Sequence, residues 1–340
     1  MLENKPGLES VRPKRLAPDV RSDWRVQSFT GLMNEHHRLH PQIYSVVKQP
    51  AVDARYANET NQIHILNFPK GSNAGTFLHT LFEHTDFESG GLIEKYARSG
   101  ESLQEHISKL LVRKQLVSEF KQQAWAEYLA EWVRRILALE LSTGHGPGLR
   151  LRDLSKKDRV VEAEFFFRVS ALAAKELNIT LSAFREDLPA LGFEQFRGHI
   201  KGAIDLTFRH DGRYYLLDYK SNHLGFEAED YSHARLEATI VDHRYDVQYL
   251  LYSVALHRLL KQRVGESYDY DTHFGGVYYL FLRGMELDGG AEGMVGDNAS
   301  RDKSALPGVY FARPEKALIE RLDALMGAQV GSVEEGVSHE

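Results

Sequence analysis

Residues 202–222 read GAIDLTFRHDGRYYLLDYKSN, and the fold depends on how this stretch pairs with itself. Two β-prone, largely apolar runs flank Asp211-Gly212, a dipeptide that strongly signals a two-residue hairpin turn. A turn of that length sets Asp205 directly opposite Asp218. Opposed residues on one face have Cβ atoms roughly 4.5–5.5 Å apart, so two carboxylates face each other in an apolar sheet. Lys220, two along from Asp218, points to the same face. Ile204, Leu206, Phe208, Tyr215, Leu217 and Tyr219 gather on the opposite face as a core surface. Like charges across a strand pair destabilise it unless something positive sits between them. A divalent cation with oxygen ligands meets that need, and the Lys220 ammonium adds a second positive charge.

Composition narrows the chemistry. With 340 residues, 42% hydrophobic and 11% aromatic, the chain can bury a real core as one large domain or two ordinary ones. No run approaches the ~18 uncharged apolar residues of a membrane span. The opening MLENKPGLESVRPKRLAPDV lacks the apolar centre of a signal peptide, which makes the cytoplasm the expected compartment. The absence of cysteine excludes disulfides, thiolate zinc sites, cysteine nucleophiles and iron–sulfur clusters. Any metal therefore uses His, Asp, Glu or backbone oxygen. A net charge of −6 gives no overall attraction to nucleic acid, though a local groove can still be basic.

Along the chain, residues 1–23 are rich in Pro, Lys and Arg without apolar periodicity and read as a flexible arm or linker. Phe77, Leu78, Leu81 and Phe82 have helical spacing, with Thr76 as N-cap, and His79 and Glu83 share the other face. Residues 101–142 hold one or two long helices, closed by the breaker run STGHGPG. RVVEAEFFFRVS, 159–170, alternates as a strand, with Val161, Ala163, Phe165 and Phe167 on one side and Glu162 and Glu164 on the other. After the hairpin come a long amphipathic helix over 230–262, a buried strand at 275–284 and a Gly/Asp/Ser-rich loop at 288–304. A short strand at Val309–Phe311 and a last helix from Pro314 close the chain. No internal repeat, phosphate-binding G-x-x-x-x-G-K-[ST] loop or G-x-G-x-x-G fingerprint occurs, so no ATP site is expected.

The run GAID (Gly202, Ile204, Asp205), a hairpin, and the D-Y-K of Asp218 to Lys220 resemble the core of the PD-(D/E)XK nucleases. The wider text resembles the C-terminal nuclease domains of the RecB family, the exodeoxyribonuclease V beta subunits. It includes WRVQSFTGL, GTFLHTLFE, RGHIKGAIDLTFRHDGRYYLLDYKSNHLG, HRYDVQYLLYSVALHR, HFGGVYYLFLRG and GVYFARP. That resemblance implies an α/β fold, a central mixed β-sheet flanked by α-helices. The expected domain runs over 24–340, with a helical part at about 73–145, a catalytic core at about 159–284 and a C-terminal strand and helix at about 305–327. It also implies a metal held by His79, Asp205, Asp218 and the backbone carbonyl of Tyr219, with Lys220 as catalytic lysine. Gln248 and Tyr252, four apart on one helix face, resemble the Q-x-x-x-Y motif of the family and are expected to contact DNA or support the site. Glu164 is read as a solvated face rather than a second metal ligand, and Tyr245, Tyr249 and Tyr252 mainly as packing.

The implied activity is Mg²⁺-dependent hydrolysis of DNA phosphodiesters, single-stranded DNA preferred, as used in double-strand break repair and recombination. Mn²⁺ or Ca²⁺ can take the same ligands, Ca²⁺ without supporting turnover. RecC- and RecD-like subunits are the implied partners. Two alternatives remain open: a non-catalytic DNA-binding or RecC/RecD-docking module that kept the fold, and an RNase or structure-specific repair nuclease of the same fold.

Overall fold

The computed structural model describes residues 24–28, 31, 62–144, 148–186, 188–193, 195–287 and 306–327. The arm at 1–23 and the loop at 288–304 lie outside the described residues. A six-stranded mixed sheet forms the centre, in the order β1 (Arg25–Gln27), β5 (Phe196–His210), β6 (Arg213–Lys220), β7 (Phe274–Phe281), β8 (Val309–Ala312). The long strand β4 (Arg159–Leu172) pairs antiparallel with β5. Since β4 shares residues 198–200 of β5 with β1, the two flank β5 on opposite edges. A small ribbon, β2 (Glu140–Leu141) and β3 (Leu149–Arg150), stands apart.

The hairpin forms as its turn dictates. Asp211 and Gly212 both take positive φ, 47° and 75°, the signature of a turn whose twist matches that of the strands. Leu206 lies opposite Leu217, Thr207 opposite Leu216 and His210 opposite Arg213. Strand β6 continues in parallel with β7, which is buried on both faces over its whole length, as expected of a central strand.

Helices cover both faces. On one lie α1 (Ser72–His84), α2 (Leu103–Lys114) and α3 (Glu119–Ala138), packed on Leu206, Phe208, Tyr215, Leu217, Tyr219 and Tyr278. On the other lie α4 (Ala174–Ser182), α5 (His233–Asp242), α6 (Tyr245–Val264) and α8 (Lys316–Gly327), against Val169, Ile200, Ile204, Leu216 and Tyr279. The short α7 (Tyr270–His273) leads into β7. Among the described residues no helix is long and apolar enough to cross a membrane.

Four details depart from the sequence reading. Helix α1 starts at Ser72 after Gly71, so Thr76 sits inside it, its hydroxyl donating to the Ser72 carbonyl. The run over 230–262 is two helices, not one, because Arg244 takes φ 54° and is fully buried, its guanidinium held by Asp246 and the Pro189 carbonyl. Strand β5 begins at Phe196, ahead of the quoted stretch.

The fourth departure shapes the site. Ile204 packs on the α6 side while Leu206 packs on the α1 side, although alternation should keep them together. On β4, Ala163 and Val161 divide in the same way. Their ladder pairs, Ala163 with Ile204 and Val161 with Leu206, straddle Glu162 and Asp205, which form no ladder pair. Glu162 has φ 51°, a costly conformation for a non-glycine residue. The two strands therefore step out of the pleat together, and the inner face of the β4–β5 ribbon crosses from one core to the other at this level.

Candidate active site

The crossover decides where the carboxylates go. Asp218 and Lys220, in phase with Leu216, face α6, whereas Asp205 turns toward α1. The expectation that all three share one face is therefore corrected. The hairpin ladder ends at Leu206 and Leu217, and the Asp205 Oδ2 instead accepts the Tyr219 N–H at 2.7 Å. His79 on α1 brings Nδ1 within 3.3 Å of the same oxygen. Burial opposes charge on this ring, but contact with Asp205, with Asp218 behind it, raises the His79 pKa above its ordinary value.

Asp218 is 4% exposed and Lys220 9%. Lys220 Nζ lies 2.6 Å from Asp218 Oδ2, a close ion pair that gives that buried oxygen its one partner among the described residues. Burial pushes the Asp218 carboxyl above its usual range; Lys220 pulls it down, and the Asp205 charge adds to the rise. Lys220 is itself boxed in. Its Nζ donates to Gln248 Oε1 at 2.8 Å and stands 3.9 Å from the Tyr245 ring centroid and 4.7 Å from that of Tyr279, within cation–π range. The Tyr279 hydroxyl donates to the same Gln248 oxygen at 2.9 Å, and Gln248 Nε2 donates to the Tyr252 hydroxyl at 2.9 Å. Gln248 and Tyr252 thus share one face of α6, as their spacing predicts, and contact the lysine directly and at one remove.

Sequence reasoning missed Tyr279 and Glu162. Tyr279 reads as one more apolar residue of a buried strand; only the parallel register that sets it beside Asp218 shows that its hydroxyl reaches Gln248. Glu162, not Glu164, lines the cleft with His79, Glu83, Asp205 and Tyr219. Desolvation first and the Asp205 charge second raise its pKa. Its positive φ has no signal in the sequence.

Among the described residues no three His, Asp or Glu side chains already converge on one point as a metal cage, because Asp205 and Asp218 are each turned onto a partner. The donors nevertheless suit a hard divalent cation: two carboxylates and the backbone oxygens beside them. Asp218 Oδ2, buried and held only by the Lys220 ammonium among the described residues, is an oxygen such an ion would share.

A mixed sheet whose central hairpin carries Asp205, Asp218 and Lys220 at its end is the architecture of a nuclease core, and the chain belongs to the PD-(D/E)XK nuclease superfamily, whose sequence profile matches residues 57–330. Within it, the chain is similar to the RecBCD enzyme subunit RecB of Escherichia coli (strain K12), 35% identical over 307 residues that make up 89% of this chain and 23% of the relative. The RecBCD enzyme subunit RecB of Haemophilus influenzae is 36% identical over 334 residues, 93% of this chain and 25% of that one. That of Mycolicibacterium smegmatis is 32% identical over 208 residues, 54% and 18% respectively. The chain spans about a quarter of the length of the first two relatives.

Proposed function

We propose that this chain is a Mg²⁺-dependent DNA nuclease of the RecBCD type, preferring single-stranded DNA. One observation carries the reading: Asp218 and Lys220 are buried together as an ion pair beside Asp205, at the end of an otherwise apolar hairpin. A fold has no packing reason to keep three charges there, because a buried ion pair gives little net stability over apolar residues of similar volume. PD-(D/E)XK nucleases generally use divalent metal ions. Asp205, Asp218, the Tyr219 carbonyl and His79 are the residues that would hold one. Such an ion supplies Lewis acidity to the phosphate. Lys220, fixed by Gln248 and two aromatic rings, presents its ammonium to the negative charge that develops on phosphate oxygens or to the attacking water. Gln248 and Tyr252 hold that lysine in place. RecC- and RecD-like subunits are the proposed partners, and the nuclease domain is the unit from residue 24 onward.

The test is digestion of circular and linear single-stranded DNA with Mg²⁺ and no ATP, with EDTA and Asp218→Ala as controls. Cleavage lost in both controls supports the proposal, and cutting of the circle identifies endonuclease action. Folded protein that binds DNA without cutting it overturns the enzyme reading in favour of a binding module.

A further inference from the structure

We propose that the sheet surface around Phe166, His199 and Trp24, which no helix among the described residues covers, is a stacking floor for the unpaired bases of the strand entering the cleft; this rests on the nuclease reading above. Alternation fixes the side. Val169, Phe196, Ile200 and Ile204 face the α6 core, so Phe166, His199 and Lys201, out of phase with them, face the side that carries α1. Among the described residues, helices α1 to α3 cover that side only over the second half of β5 and over β6 and β7.

The uncovered half has an unusual surface. Phe166 is 61% exposed, and its ring lies flat on His199, centroids 4.4 Å apart and planes 11° apart. Trp24 sits tilted against the same imidazole at 5.6 Å. The Arg168 guanidinium is 4.8 Å from the Trp24 ring centroid. The register puts Lys201 beside Phe166, and Val26, also exposed, beside His199. Two cations therefore border the aromatic rings, against Glu164 two residues along β4.

At the exposed edge of β4, Phe166 also borders a groove of about 780 Å³ that runs along the other face of the strand, between it and α6, with Phe165, Phe167, Leu259 and Gln262. Glu162 lines both that groove and the cleft holding His79 and Asp205. Lys201 and Asp205 are four residues apart on one strand, or ~13 Å, a distance that a few nucleotides span. Flat rings accept any base and the flanking cations meet the phosphodiester backbone, which is the pattern of sequence-tolerant single-strand binding.

Trp125 and Trp132 are buried, which leaves Trp24 as the fluorescent reporter. In EDTA, a thymidylate oligomer of about 20 nucleotides, longer than the sites of ~4–16 nucleotides typical of single-strand binders, should quench tryptophan emission, and Trp24→Phe should abolish the quench. Phe166→Ala and Phe166→Leu should each weaken binding about tenfold, the size expected for one lost base–aromatic stack. Phe166→Trp should bind as the parent does. Equal affinity of the alanine variant and the parent, or unquenched Trp24 at saturating oligomer, overturns the proposal and leaves this surface to a protein partner. Because binding is read without metal, the floor and the enzyme reading fail separately. Phe166-dependent binding with no cleavage under Mg²⁺ upholds the floor and sinks the nuclease.

Discussion

Replacing Lys220 by methionine tests whether the ion pair at the end of the hairpin is held as the structure describes. Methionine keeps the length and apolar stem of the side chain but removes the ammonium 2.6 Å from Asp218 Oδ2. That oxygen is buried and has no other partner among the described residues, so the variant leaves an uncompensated carboxylate, at a cost of about 3–5 kcal/mol. Asp218→Asn should cost less, about 1–3 kcal/mol, since Lys220 keeps Gln248 and two aromatic faces. The double variant should cost less than the sum of the two singles, with a coupling of about 2–3 kcal/mol. A pH dependence follows. The folded-state pKa of Asp218 is already raised by burial and rises further when the cation goes. Between the ordinary carboxylate value and that raised value the native state binds more protons than the unfolded chain, so stability falls as pH rises. Lys220→Met should therefore be closest to the parent near pH 5 and furthest from it near pH 8 in urea titrations with EDTA. A loss below about 1 kcal/mol with no dependence on pH would refute the buried-pair reasoning.

Burial holds His84 and His223 down to about 4, with Lys70 and Arg283 adding to the effect at His223. The unfolded chain takes up these protons near the ordinary histidine value of 6.5. Stability present at neutral pH should thus be lost as pH falls from there toward 4, and His223→Gln should flatten the fall in melting midpoint; an equally steep fall in that variant would exclude His223. Gly198, at φ 139°, would place a Cβ 1.8 Å from the Arg25 carbonyl oxygen, so Gly198→Ala should release β1 and red-shift Trp24 emission. Retained native emission would show that β1 tolerates the side chain. The buried Arg283 donates to the carbonyls of Ile65, Phe68, Pro69 and Ser221. Arg283→Met should cost about 3–5 kcal/mol, and lysine should not rescue it, since one ammonium cannot reproduce the planar fork; a lysine variant as stable as the parent in urea would count against the clasp.

The hairpin and its register were readable because a local signal determines them. Asp211-Gly212 selects the turn, and the turn alone fixes that Leu206 meets Leu217. The sheet's mixed character came with the family resemblance, and patterning showed helix over 101–142 without settling whether it was one helix or two; the break falls at Gln115, whose φ is 53°. The division at Arg244 was not readable. Apolar residues continue through it at helical spacing, and what breaks the helix is a buried guanidinium held partly by Pro189, 55 residues away. Strand β4 alternates from Val160 to Arg168 without interruption in its burial, yet it changes cores at Glu162. Exposure alternates identically whether or not the ribbon crosses, so pattern alone cannot tell the two cases apart.

That crossover also answers the electrostatic difficulty posed by the hairpin. Unbroken pleating would set Asp205 and Asp218 side by side facing α6, two carboxylates competing for one ammonium. Stepping out of the pleat at Glu162 and Asp205 turns the Asp205 carboxylate away from Lys220 and onto the Tyr219 N–H at the open end of the hairpin. Asp205 gains the Tyr219 N–H and His79, and Asp218 keeps Lys220 to itself. Each negative charge then has its own partner, and the hairpin can fold without an ion between them. The strained Glu162 backbone costs of order 1–3 kcal/mol, comparable to the repulsion it relieves between partly buried like charges. A site built this way keeps its carboxylates ionisable and close while the protein folds.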